Sequence, residues 1–127
     1  MSELNIESDV RALFDRVEDA WGTADLKRYG SYFLDDAGYV NRSGQLLDGR
    51  AAIEGGTAVG FARAFAGTTM RITPLRVRRL CDTHALAHVS VKTAAAGGDG
   101  VEAIATTLLQ RTDDGWCFAA VHMSQLP

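Results

Sequence analysis

Apolar residues at Ile6, Val10, Leu13, Phe14, Val17, Ala20 and Trp21 recur at the ~3.6-residue period of a helix, with charged residues between them. Glu7 and Arg11 stand at i,i+4 spacing on the charged side. Gly22 ends this helix. Asp25 then serves as N-cap of a second, short helix with Leu26, Tyr29 and Phe33 on its buried side. A strand, Gly38-Tyr39-Val40-Asn41, closes at the turn Arg42-Ser43-Gly44. A third helix starts near Asp48-Gly49 and runs toward Phe65, carrying Ile53, Val59, Phe61 and Phe65 as its large apolar residues. Gly55, Gly56 and Gly60 lie inside it, each costing ~1 kcal/mol against Ala. Two readings follow: another backbone or a ligand approaches closely there, or the helix is kinked and loosely formed.

The remaining chain reads as sheet. Met70 and Ile72 are apolar in even phase, Leu75 and Val77 in odd phase, and Pro74 sits at the switch, the mark of a β-bulge or sharp bend. Leu86 to Thr93 forms the next strand, and the loop Ala94-Ala95-Ala96-Gly97-Gly98-Asp99-Gly100 leads to another over Val101–Arg111. An Asp113-Asp114-Gly115 hairpin enters the last strand, Trp116 to Ser124. Strict alternation there puts Trp116, Phe118, Ala120, His122 and Ser124 on one face. Three helices mixed with one early strand, followed by a run of antiparallel strands, predict an α+β domain. Its helices pack on one face of a curved, mostly antiparallel sheet.

Composition narrows the possibilities. The 127 residues are 46% hydrophobic and 23% charged, which suits one soluble domain over 1–127 with one core. The net charge of −3 contains no basic block, so no nucleic-acid partner is expected. No apolar run approaches the ~18 residues of a membrane span, so no membrane partner is expected either. Met1-Ser2-Glu3-Leu4 lacks the basic and apolar regions of a signal peptide, and a cytoplasmic location is expected. Cys81 and Cys117 are expected to be plain thiols, one or both buried.

Four segments in this order are more specific: Ala20-Trp21…Asp25, Phe33-Leu34-Asp35-Asp36-Ala37, Gly44…Gly49-Arg50-Ala51-Ala52-Ile53 and Asp114-Gly115-Trp116. With them the chain resembles the NTF2-like superfamily over nearly its whole length, in the SnoaL-like, DUF4440-type branch that includes the small SgcJ-type proteins of polyketide and enediyne gene clusters. The resemblance implies a cone-shaped NTF2-like (cystatin-like) α+β barrel, wrapped around the first helix and enclosing a pocket. It also implies a homodimer through the outer sheet face. It does not fix a reaction, because this fold hosts isomerases, dehydratases, cyclases, epoxide hydrolases and non-catalytic modules.

Steroid isomerases of this fold use an aspartate base with a Tyr and a neutral Asp as oxyanion donors. By the resemblance these positions fall at Asn41, Val17 and Thr107, so none is kept. An amide cannot accept a proton at neutral pH. Asn41 either orients a substrate oxygen or bonds its own backbone at the turn. His122 is the first candidate for acid–base work, on a row that the resemblance turns toward the cavity. A satisfied structural histidine is the alternative.

His88 shares a row with Leu86, Ser90 and Lys92, and the resemblance turns that row inward as well. Alternation alone equally permits the reverse, with the apolar row Ala85, Ala87, Val89 and Val91 inside. Were both histidines inward, one would act as base and the other as acid. Trp21, Tyr29, Tyr32, Tyr39, Phe61 and Trp116 are the aromatics available to shape a cavity, with Tyr32 and Tyr39 able to offer hydroxyls.

No metal site is expected: His84 and His88 are ~13 Å apart along a strand, and no acidic residue is placed to complete a set. Cys117 falls on the face opposite His122, which argues against a nucleophilic pair. The glycine-rich loop joins two strands rather than opening a helix, so it does not read as a phosphate cradle. Arg71, Arg76, Arg78 and Arg79 read as a solvated or interface sheet face.

The resulting expectation is a cofactor-independent enzyme acting by proton transfer (cyclisation, isomerisation or dehydration) on a hydrophobic, oxygenated, polyketide-like molecule. His122 and His88 would be catalytic, and Asn41, Thr107, Ser90, Trp21 and Tyr32 would bind substrate. The alternative is a module of the same fold that binds a ligand or dimerises and catalyses nothing.

Overall fold

The apolar stripe at the N-terminus forms α1, Leu4–Gly22, with Val10, Leu13, Phe14 and Ala20 wholly buried. The computed structural model describes residues 4–95, 98 and 100–126. Ala96, Gly97 and Asp99 of the expected glycine-rich loop lie outside those residues, as do Met1, Ser2 and Glu3. Polar residues flanking the stripe also bind the sheet. Arg11 Nη1 donates to the Ile72 carbonyl at 2.6 Å, and the Ile72 N–H donates to Glu18 Oε2 at 2.6 Å. Arg11 and Glu18 pair with each other at 3.0 Å. Ile72 lies on an edge strand, whose outward N–H and C=O would otherwise lack partners.

Asp25 caps α2, Leu26–Ser31, by accepting the Arg28 N–H at 3.1 Å. Phe33 is not part of that helix; it opens strand β1, Phe33–Val40, which starts five residues before the expected strand. A three-residue strand, β2 (Leu46–Asp48), pairs antiparallel with β1 and is too short to show a period in the sequence. Helix α3, Arg50–Gly60, widens into a π turn over Phe61–Phe65. Its glycines answer to close packing by side chains. A Cβ on Gly56 would lie 2.7 Å from Leu47 Cδ1, and one on Gly60 would lie 2.8 Å from Phe65 Cδ2, whereas Gly55 faces open space.

Strands β3 (Thr68–Arg79), β4 (His84–Ala95), β5 (Val101–Thr112) and β6 (Gly115–Gln125) complete one sheet, ordered β2-β1-β6-β5-β4-β3. Only the β1–β6 pair is parallel. The fold is α+β as expected, with three helices on a curved, mostly antiparallel sheet. The sheet stays open, because β2 and β3 at its two ends do not pair with each other. Helix α1 packs on β3 and β6, and the core lies between it and the sheet.

Two bulges set which side chains face that core. The expected one at Pro74 is present: Pro74 pairs with Val89 and Arg76 with His88, leaving Leu75 extra and exposed. The second is in β6. Leu108 pairs with Ala120 and Leu109 with Phe118, so Ala119 is the extra residue. Trp116 and Phe118 are buried before it, and Val121 and Met123 after it. The single face expected for Trp116, Phe118, Ala120, His122 and Ser124 is therefore broken, and the last three turn outward. The cysteine expectation also needs correction: Cys81 is exposed and Cys117 half-buried.

Candidate functional site

Three adjoining hollows lie between the helices and the inner sheet face. The innermost, about 380 Å³ including its open side, is lined by Phe14, Tyr29, Phe33, Val89, Thr107 and Val121 among others. A second, about 480 Å³, shares Tyr39, Met70 and Met123 with it and is closed by Trp21, Phe65, Asn41, Arg42 and Ser43. A third, about 410 Å³, continues from Trp21, Tyr29, Tyr39 and Asn41 to Leu47, Gly56 and Thr57. Apolar walls with a few convergent polar groups are the usual makeup of a small-molecule site.

Each polar group has a definite place. Thr107 is buried on β5, and its Oγ1 donates to the Ala87 carbonyl at 3.0 Å. Its hydroxyl proton is thereby engaged, so Thr107 offers a ligand an acceptor. Tyr29 on α2 and Tyr39 on β1 both line the innermost hollow. Burial raises the Tyr29 phenol well above its ordinary range; the nearby Tyr39 adds to this and the positive charge of Arg42 opposes it. Burial raises Tyr39 too, again opposed by Arg42. Both phenols therefore keep their protons at neutral pH.

Arg42 is presented by a tight turn. Asn41 Oδ1 accepts the N–H of Ser43 and of Gln45, both at 3.0 Å, and Gly44 at φ 80° donates its N–H to the Asn41 carbonyl at 2.9 Å. Of the two readings of Asn41, the turn is thus realised, although the residue also lines two of the hollows. From this turn the Arg42 side chain crosses to β4, where Nη2 donates to Thr93 Oγ1 at 2.9 Å. Its guanidinium lies 5.5 Å from the centre of the Phe65 ring. Trp21 is fixed by its indole N–H, which donates to Thr68 Oγ1 at 3.0 Å.

The expected residues divide in two. Trp21, Asn41 and Thr107 line the hollows. His88, Ser90 and His122 stand on the opposite, outer face, because their neighbours Val89, Val91, Val121 and Met123 point inward. The backbone pairs Arg76–His88, His88–Thr106 and Thr106–His122 put the two histidines in one row, with a whole strand between them. His122 is exposed there. The expected acid–base pair in the cavity is accordingly corrected. Tyr32 caps α2 and packs against the core, and it is not among the lining residues.

Sequence reasoning missed Arg42, which it read only as part of a turn, and named Tyr29 as an aromatic able to shape a cavity without giving it a polar role. Among the described residues, no Asp, Glu or His lines any of the hollows.

Known structures share this architecture. A domain of unknown function with a cystatin-like fold from Nostoc punctiforme superposes with a TM-score of 0.84 at 20% identity, covering 100% of this chain and 80% of that one. An NTF-2 like protein of unknown function from Shewanella oneidensis gives 0.82 at 18% identity, over 93% of this chain and 98% of that one. A ketosteroid isomerase-like protein from Erwinia carotovora atroseptica gives 0.73 at 15% identity, over 94% and 95%. At such identities the likeness shows a shared fold. The chain has no match among curated proteins. Residues 10–127 match the SnoaL-like domain, and with that span, the open cone of sheet and the hollow beneath α1, the chain belongs to the SnoaL-like domain family.

Proposed function

We propose that this domain is a small-molecule-binding module, which holds an apolar, oxygenated ligand in the hollows between its helices and sheet and does not convert it. One observation carries the reading: the hollows are apolar and contain tyrosine, threonine, asparagine and arginine but, among the described residues, no carboxylate or imidazole. Proton-transfer chemistry needs a group able to gain and lose a proton near the working pH. Tyr29 and Tyr39 are pushed away from that range, and an arginine does not lose its proton in a protein. The enzymatic expectation relied on His122 and His88, which stand on the outer face. The SnoaL-like family and its pocket-bearing fold support the ligand class, and no cofactor enters the reading.

A neutral fluorescent probe, N-phenylnaphthylamine, tests it. The protein should enhance the dye's emission. Ala105→Leu, which adds bulk at a buried lining position, should abolish the enhancement at a stability cost of about 1–3 kcal/mol. Equal enhancement by the filled variant would place the dye elsewhere and remove the support for an internal site.

A further inference from the structure

We infer that Arg42 makes the pocket selective for ligands with an anionic head, specifically monocarboxylates whose apolar tail enters the inner hollow. The inference rests on the ligand-binding reading above and names the chemistry of its ligand. Four observations carry it. First, Arg42 lines the middle hollow beside Tyr39, Asn41, Ser43 and Trp21, which adjoins the apolar inner hollow through Tyr39, Met70 and Met123. Second, among the described residues no carboxylate lies within ion-pair distance of it, whereas Arg11, Arg28, Arg50 and Arg79 all have acidic partners. Third, Arg42 is held in place: Thr93 takes one of its N–H groups and its guanidinium lies over the Phe65 ring. A guanidinium has five N–H donors, so four remain, in the fork geometry that matches a carboxylate. Fourth, the Tyr39 phenol shares the hollow and keeps its proton, giving a second donor next to the guanidinium.

These features favour an anion over a neutral polar head. A partly desolvated guanidinium without an acidic partner is unfavourable unless a counter-charge arrives, and a bidentate Arg–carboxylate contact is about twice as strong as a neutral hydrogen bond. The absence of any lining Asp or Glu among the described residues removes the repulsion that would exclude an anion. Below the head, Met70, Met123, Phe33 and Val121 offer a tail only apolar surface. The flexible thioethers adapt to tails of different shape, so selectivity falls on the head group.

Calorimetric titration with straight-chain carboxylates, from butanoate to decanoate, and with the primary amides of the same chains tests the inference. At about pH 7.5 the carboxylates are ionised and the amides, of nearly equal shape, are neutral. The wild-type protein should bind the best carboxylate about tenfold more tightly than its amide. Arg42→Gln should bring the two within about twofold, and Arg42→Lys, which keeps the charge but loses the fork, should restore part of the gap. If wild-type protein binds acid and amide equally, the anionic-head inference is overturned and the pocket survives. A gap that persists in Arg42→Gln would also overturn it, by locating the selectivity elsewhere. Failure of both series at every length, together with no emission from the neutral dye, would sink the pocket itself. Should Arg42→Gln unfold for want of its Thr93 and Phe65 contacts, the wild-type gap and the Arg42→Lys result still decide.

Discussion

A histidine's neighbours, more than its own chemistry, decide what it can do here. His84 was considered in the sequence only as a metal ligand, yet it belongs to a cluster at the β3–β4 turn. Its Nδ1 lies 2.8 Å from Thr83 Oγ1 and 3.5 Å from Cys81 Sγ, and Cys81 Sγ lies 3.5 Å from Thr83 Oγ1. Hydrogen bonds from Thr83, then from His84, lower the exposed Cys81 thiol to about 7. Arg79 reaches the same turn, with its Nε donating to the Cys81 carbonyl and Nη2 paired to Asp82. Alkylation by iodoacetamide should therefore be half-maximal in rate at about pH 7, since the thiolate is the nucleophile. Peptide mapping should find Cys81 labelled ahead of the half-buried Cys117. Thr83→Val should move the midpoint upward, toward the range of an ordinary cysteine. An unmoved midpoint would mean that the hydroxyl does not stabilise the thiolate. None of this was legible from residue spacing, because Cys81, Thr83 and His84 converge only through the turn.

At the scale of elements, most of the fold was legible and the phases of β4 and β6 were not: alternation alone left β4 open, with small apolar residues on one row and His88 and Ser90 on the other. Helix α1 announced itself because seven apolar residues repeat at one period, and Pro74 advertised its bulge by lacking an N–H. The β6 bulge gave no such signal. Ala119 and Ala120 are alike, so either can be the unpaired residue, and small side chains on both faces hide the switch. That one residue sends His122 outward and brings Val121 and Met123 in. The site was legible to the same degree: Trp21 and Thr107 were placed on the correct side, whereas His88 and Ser90 on β4 and His122 beyond the β6 bulge were not. Deleting Ala119 should then leave Phe118 opposite Leu109 and Ala120 opposite Leu108 in plain alternation, so that Val121 and Met123 stay buried and His122 stays outside. We expect a change of only about 1 kcal/mol in urea unfolding, because no side chain is exchanged between the two faces. A deletion variant that fails to fold would show that β6 needs the bend of the bulge and not only the register on either side of it.

At the scale of the whole molecule, the outer sheet face remains to be accounted for, and we propose that a second copy of this chain covers it. The pairs Leu86–Leu108 and Leu108–Ala120 run an apolar row across β4, β5 and β6, with Ile104 four residues from Leu108 along β5 and beyond Thr106, and all four side chains are half-buried in the single chain. Polar groups border the row, with His88, Thr106 and His122 on one side and His84 and Gln110 on the other. A face that is apolar at the centre and polar at the rim suits a two-fold contact, where each copy offers the same patch. Sedimentation equilibrium should thus give a dimer. Leu108→Lys should yield a monomer, because a desolvated ammonium at the middle of a symmetric interface meets its own copy. In the separated chain the new lysine faces water, so the fold should survive, and the melting temperature measured at low concentration serves as the control. A wild-type monomer, or a Leu108→Lys dimer of unchanged affinity, would move the contact off this face. The hollows are lined by the inner sheet face, so ligand affinity should be the same in monomer and dimer. That equality would separate the two uses of the sheet, one on each side of strands whose alternation Ala119 resets.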